Sequence, residues 1–148
     1  MNLTTYVAAA LLLRGDRLLV AQRKTLLWEF PGGKIETGED PRDTVRRELQ
    51  EELGLQVEVG PVFEVIHYAY PQRTVTMLLY LCALDGEQRP CCLDGPVDVK
   101  WVTPDQLRPD AFLEADRPLI AAIKKRPQQF MTKAAVLWGG YRPQGEEA

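Results

Sequence analysis

Gly33-Lys34-Ile35-Glu36-Thr37-Gly38-Glu39, followed after seven residues by Arg47-Glu48-Leu49-Gln50-Glu51-Glu52-Leu53-Gly54-Leu55, is the stretch that decides how this chain folds. Asp40 and Pro41 open a helix inside it, an N-cap acid ahead of a proline at the first helical position. Val45, Leu49 and Leu53 recur at i, i+4 and i+8 and make a buried stripe, and Gly54 supplies the stop. Glu48, Glu51 and Glu52 stand at i, i+3 and i+4, so their carboxylates leave one side of the helix within reach of each other. That side lies roughly 100° from the apolar stripe at about 100° per residue. One helix can therefore be anchored in a core and still offer its acids to a cleft. Three unpaired like charges would destabilise the helix, which points to a positive charge among them. Oxygen donors in a compact cluster suit a hard divalent cation, Mg²⁺ or Mn²⁺.

Working outward, residues 6–13 form an apolar run, Arg14-Gly15-Asp16 breaks it, and residues 17–21 turn apolar again, the pattern of two strands joined by a tight turn. Residues 24–34 hold Pro31-Gly32-Gly33 and read as a loop with an unusual backbone turn. Residues 57–65, 74–82 and 97–102 are rich in β-branched and aromatic side chains and read as strands. Residues 85–96 read as a loop and residues 105–107 as a short helical turn. Asp116-Arg117-Pro118 opens a last helix with Leu119, Ile120 and Ile123 on its buried side. Strands mixed with an early and a late helix predict an α+β domain. Beyond residue 126 the pattern weakens. Phe130, Val136, Leu137 and Trp138 suggest partial docking, with fraying from Gln144 onward.

A chain of 148 residues is one domain by length and can bury roughly two-thirds of its unfolded surface. Its 45% apolar and 26% charged residues are those of a globular protein. A net charge of −3 argues against nucleic acid or an anionic membrane as a partner. Cys82, Cys91 and Cys92 lack Cys-x-x-Cys spacing and His67 is the only histidine, which disfavours a zinc site. The adjacent Cys91-Cys92 pair reads as reduced thiols, with redox activity as the alternative. The run at residues 7–13 is too short to span a bilayer and no basic segment precedes it, so a cytoplasmic protein is expected.

The spacing Gly33, Glu39, Arg47-Glu48-Leu49, Glu51-Glu52, Gly54-Leu55 resembles the full signature of the Nudix hydrolases, with no position missing. Leu27-Trp28-Glu29-Phe30-Pro31-Gly32-Gly33-Lys34-Ile35-Glu36 is similar to the entry segment of the MutT branch, which acts on nucleoside triphosphates. Phe63-Glu64-Val65, Tyr68-Ala69-Tyr70-Pro71-Gln72-Arg73 and Ala115-Asp116-Arg117-Pro118-Leu119 also look like that branch. The resemblance implies an α/β/α sandwich with a mixed central β-sheet over residues 1–126 and a C-terminal extension at 127–148. It implies Mg²⁺-dependent hydrolysis of nucleoside triphosphates to a monophosphate and pyrophosphate, Mn²⁺ being a possible substitute. The expected partner is a small nucleotide, the assembly a monomer or homodimer, and the role removal of modified nucleotides such as 8-oxo-dGTP or cytidine-type triphosphates.

Splitting a phosphoanhydride with water needs charge neutralised on the phosphates, a positioned nucleophile and a base. The resemblance implies Glu48, Glu51 and Glu52 as metal ligands, joined by a backbone carbonyl of the Gly32-Gly33 turn. Arg47 then orients a glutamate, and Glu39 braces the loop or serves the helix dipole. For the base, a box glutamate competes with Asp94 and Asp98 on the later loop, either of which reads equally as a solvated turn residue. Arg23 and Arg73 read as phosphate or nucleotide contacts, or as exposed charges. Phe30 and Tyr68 could flank a base, and Phe30 reads equally as core. Asp116 reads as a base-recognising acid, which if ionised only accepts hydrogen bonds, or as an N-cap. The stretch from Arg23 to Trp28 is shorter than in typical MutT sequences, so base preference does not transfer. An ADP-ribose or dinucleoside polyphosphate pyrophosphatase is the rival within the family, kept open by Tyr70 and Pro71. A non-catalytic nucleotide sensor is the rival outside it.

Overall fold

The computed structural model describes residues 3–125, together with 127, 128, 130 and 132. In order come β1 (Leu3–Arg14), β2 (Arg17–Gln22), β3 (Trp28–Glu29), β4 (Gly32–Lys34), α1 (Pro41–Leu53), β5 (Val57–Ala69), β6 (Arg73–Leu84) and β7 (Asp98–Val102). Three 3₁₀ turns follow, Pro104–Gln106, Pro109–Ala111 and Glu114–Asp116, and then α2 (Arg117–Lys125). No helix among the described residues is long and apolar enough to cross a membrane.

The strands make one seven-stranded mixed sheet ordered β3-β2-β1-β6-β5, with β4 on β1 and β7 on β2. β1 runs parallel to β6 from Leu3↔Arg73 to Leu13↔Ala83, and the other pairings are antiparallel. The apolar run in β1 is continuous because both faces of this strand are covered. Ala8, Ala10 and Leu12 pack with Val45, Leu49 and Leu53 of α1. Ala9, Leu11 and Leu13 pack with Leu119, Ile120 and Ile123 of α2. The expected α/β/α layering is thus present.

The predicted loop at 24–34 is more ordered than expected and contains β3 and β4. Gly32 is the reason: a Cβ there would overlap the backbone of Ala8 and Ala9. Without one, β4 lies against β1, and the Ala10 N–H reaches the Pro31 carbonyl at 2.8 Å. The β1–β2 hairpin is correspondingly short, paired only at Leu13↔Leu18 and Arg14↔Arg17 beyond the turn at Gly15. β5 extends past the predicted end at residue 65, with register shifts between Val59 and Glu64. Phe130 is buried and its ring meets Phe63 edge-on at 4.9 Å. Val136, Leu137, Trp138 and Gln144 lie outside the described residues.

Candidate active site

α1 begins and ends as its caps dictate. Asp40 Oδ1 accepts from the Arg42 N–H at 2.9 Å, and Gly54 turns left-handed at φ 68° and donates to the Gln50 carbonyl. Val45, Leu49 and Leu53 are fully buried, which fixes the rotation of the helix and sends Glu48 and Glu52 toward the β3–β4 segment.

Arg47 ties this helix to the loop before it. Its Nε donates to Glu39 Oε2 at 2.8 Å and its Nη2 to Glu39 Oε1 at 3.0 Å. The same guanidinium donates to Glu48 Oε1 at 2.8 Å, to Glu51 Oε2 at 3.4 Å and to the Lys34 carbonyl at 3.2 Å. Glu39 also accepts from Thr44 Oγ1 at 2.6 Å and from the Glu36 N–H at 3.2 Å. The Arg47 hydrogen bonds, with that from Thr44 next, hold the Glu39 carboxyl down to about 2. One arginine therefore orients Glu48 and braces the loop that carries Gly33.

Glu48 and Glu52 meet. Burial first, then a hydrogen bond donated by protonated Glu52 to Glu48 and the charges of Glu48 and Glu29, push the Glu52 carboxyl up to about 8, against the pull of Arg23. Gly33 makes the approach possible, since a Cβ at that position would overlap the Glu48 carboxylate. Glu51 does not join the pair; its side chain is 57% exposed and turns to Arg47. As placed, no three acidic, thiol or imidazole side chains among the described residues stand close enough to enclose an ion. The donor set nevertheless fits a divalent cation. Two carboxylates facing each other over a glycine cannot both ionise without a positive charge between them, and every donor is oxygen.

Sequence reasoning missed Glu29. It sits on β3 between Trp28 and Phe30, and strand alternation sends it to the opposite face, the face of α1. Its carboxylate accepts from Arg23 Nη2 at 2.9 Å; burial raises its pKa while Arg23 opposes. An isolated acid in an aromatic strand segment was the available signal. Arg23 also feels Glu52 and Asp116, so this guanidinium stands among the carboxylates of Glu29, Glu52 and Asp116.

Asp116 is 3% exposed and lies in the 3₁₀ turn ahead of α2. Its carboxylate accepts from the Phe30 backbone N–H, so it faces the β3–β4 segment. Burial, with Glu29 second, pushes it up to about 8. Desolvation disfavours the charged form of Asp116 more than Arg23 offsets it, which favours a protonated carboxyl over the acceptor-only carboxylate considered from sequence. Phe30 is core, buried against Phe112 with centroids 5.7 Å apart. Tyr68 donates to Glu114 Oε2 at 3.2 Å and meets Tyr70 edge-on at 4.9 Å. The exposed Arg73 lies 5.3 Å over the Tyr70 ring. Tyr68 thus reaches the turn carrying Asp116 through Glu114, while Arg73 lies over the Tyr70 ring.

Asp94 lies in the loop beside α1's C-terminal end, and Asp98 begins β7, paired with Gln22 of β2. The Asp98 carboxylate accepts from the Val99 N–H at 2.8 Å. Asp94 is exposed and touches Glu52 through its backbone, its N–H 3.4 Å from the Glu52 carbonyl. A Cβ on Gly95 would lie 4.0 Å from Glu52 Oε1, so the loop passes the site at a glycine.

The chain is similar to known proteins along most of its length. An 8-oxo-dGTP diphosphatase of Escherichia coli (strain K12) is 39% identical over 97 residues, covering 66% of this chain and 74% of the relative. A CTP pyrophosphohydrolase of the same organism is 46% identical over 125 residues, covering 79% and 89%. The crystal structure of a MutT NUDIX hydrolase from Burkholderia pseudomallei superposes with a TM-score of 0.70 at 25% identity, covering 80% of this chain and 96% of that one. The NUDIX domain pattern matches residues 3–123. With the helix, the glycine turn and the sheet that positions them all inside that match, the chain belongs to the Nudix hydrolase family.

Proposed function

We propose that this protein hydrolyses nucleoside triphosphates to a nucleoside monophosphate and pyrophosphate, with oxidised purine or cytidine-type triphosphates as substrates. What supports this most is the Glu48–Glu52 pair, pressed together over Gly33 beside the Arg23–Glu29–Asp116 group. Catalytic and recognition chemistry then share one cleft. The relatives named for 8-oxo-dGTP and for CTP favour the same substrate class.

Glu48, Glu52 and the Gly32 carbonyl would hold a divalent cation, Mg²⁺ or Mn²⁺, with Glu51 joining by turning away from Arg47. When bound, such a cation supplies charge neutralisation on the phosphates and a more acidic water. Arg47 positions Glu48. Arg23 is the cation available to phosphate oxygens or to the leaving group, with Glu29 fixing its direction. Glu52, whose carboxyl burial and Glu48 make more basic than an ordinary one, is the acid we assign to take a proton from water. Asp116 is the base-reading residue. Protonated, it offers one donor and one acceptor, matching the adjacent donor and acceptor on the pairing edges of both cytosine and 8-oxoguanine. Tyr68 and Arg73 lie on the nucleoside side. We take residues 1–126 as the hydrolase domain, residues 127–148 as an extension, and the enzyme as cytoplasmic.

The test is turnover. Protein incubated with Mg²⁺ and a panel of nucleotides, ADP-ribose and dinucleoside polyphosphates included, should release pyrophosphate from a triphosphate and little orthophosphate. Cleavage of ADP-ribose alone, or no turnover of any compound, would refute the proposal.

A further inference from the structure

Cys91 and Cys92 have no part in the hydrolysis above, yet they lie on the segment that closes the C-terminal end of the catalytic helix. Gly54 and Leu55 cap the carbonyls of Gln50 and Leu49. The last two carbonyls of the helix, those of Glu52 and Leu53, are taken by residues 91–94. The Cys91 N–H bonds the Leu53 carbonyl at 2.9 Å, and the N–H groups of Leu93 and Asp94 reach the Glu52 carbonyl at 2.9 and 3.4 Å. The Leu93 side chain leans over Gly54. Both thiols are exposed and free, whereas Cys82 is buried in the sheet and its thiol is pushed up to about 12 by that burial. An oxidant therefore meets two adjacent thiols and not the third.

We propose that Cys91 and Cys92 form a thiol-modification site, at which hydrogen peroxide converts the pair to a disulfide and loosens the C-terminal end of α1. The chemistry balances. One sulfur attacks the peroxide oxygen, giving a sulfenic acid and one water. The neighbouring thiol then attacks that sulfur, forming the S–S bond and releasing a second water. Two thiols are oxidised and one peroxide is reduced, and a dithiol reductant reverses the step.

Geometry links the bond to the helix. Neighbouring Cα atoms are about 3.8 Å apart, short of the roughly 4.4–6.8 Å that disulfides span without distortion. Closing the ring must rotate the backbone on either side of the Cys91–Cys92 peptide. The N–H groups of Cys91 and Leu93 flank that peptide, and these hold the Leu53 and Glu52 carbonyls. Releasing them frees the backbone that carries the Glu52 side chain. The consequence for turnover rests on the role proposed above for Glu52; the modification itself does not.

The experiment uses the whole reduced protein and hydrogen peroxide at near-stoichiometric amounts. Peptide mass spectrometry should find a loss of two hydrogens on the peptide holding Cys91 and Cys92, with Cys82 unchanged. Amide exchange at residues 49–54 should quicken, kcat should fall by about tenfold, since small displacements of a catalytic group are costly, and dithiothreitol should restore both. Cys92→Ser should keep basal activity and lose the reversible response. Unmodified thiols, a sulfinic acid or an intermolecular disulfide as the main product, or unchanged exchange at 49–54 in the disulfide form would each overturn the proposal. Faster exchange with unchanged kcat would support the site and count instead against the catalytic role of Glu52.

Discussion

Glu52, half-buried, and Asp116, buried, are both acids pushed up to about 8, and in the proposed function they divide the work at the scale of single residues. Glu52 owes its shift to burial and to Glu48, so on the proposed reading a cation replaces its proton; Asp116 owes its shift to burial and to Glu29, and on that reading its proton serves recognition. Glu52→Gln removes both the charge and the base while preserving shape. The expected kcat loss is about 10³-fold with an unchanged circular dichroism spectrum, and activity within a few-fold of the parent would exclude Glu52 from the chemistry. Asp116→Asn keeps one donor and one acceptor. The ranking of substrates by kcat/KM at pH 7 should therefore survive in this variant. Above pH 8 the parent should lose the donor and change its ranking, and the asparagine variant should not. Identical pH behaviour in the two proteins would remove Asp116 from base recognition.

Two adjacent glycines act differently at the scale of elements. Gly32 faces strand β1 and Gly33 faces helix α1. A methyl group on Gly32 meets backbone, which cannot move aside, so Gly32→Ala should lower Tm and the yield of folded protein. At Gly33 it meets the tip of a flexible side chain, so Gly33→Ala should leave Tm nearly unchanged and abolish most activity by displacing Glu48. Thermal melts and kcat measured on both variants check this, and equal Tm losses would show that the two contacts are not distinct. The Glu39–Arg47 pairing ties the loop between β4 and α1 to the helix that follows it.

For the whole molecule, pH sets two opposing limits on the metal-free protein. Glu39 is held at about 2 against an ordinary 4.5, so the unfolded chain binds a proton there first, and the stability from this group is lost as pH falls from about 4.5 toward 2. Asp116 and Glu52 are raised from 3.8 and 4.5 to about 8. Here the native state holds protons that the unfolded chain releases, so stability falls as pH rises from about 4 to 8. Tm without metal should accordingly peak in mildly acidic solution. Mg²⁺ competes with the proton on Glu52, so it should raise Tm more at pH 8 than at pH 5. An equal increment at both values would mean that the ion binds elsewhere.

Much of this was legible in the chain. The caps and apolar stripe of α1, the two-sided burial of β1 and the helix at Arg117 follow from local periodicity and end signals, because neighbours in sequence decide them. Which acids gather could not be read that way. Helical spacing put Glu51 beside Glu48 and Glu52, but Arg47, positioned by Glu39, draws it off. Glu29 is separated from Glu48 by a loop, and only the close approach of β4 to β1 at Gly32 brings β3 under α1. The ionisation of Asp116 likewise depends on burial by distant segments. Sequence by itself determined the elements, the family and the acid-rich helix; tertiary structure decided which charges share a low-dielectric cleft, because electrostatic coupling follows distance and desolvation in space and takes no account of separation along the chain.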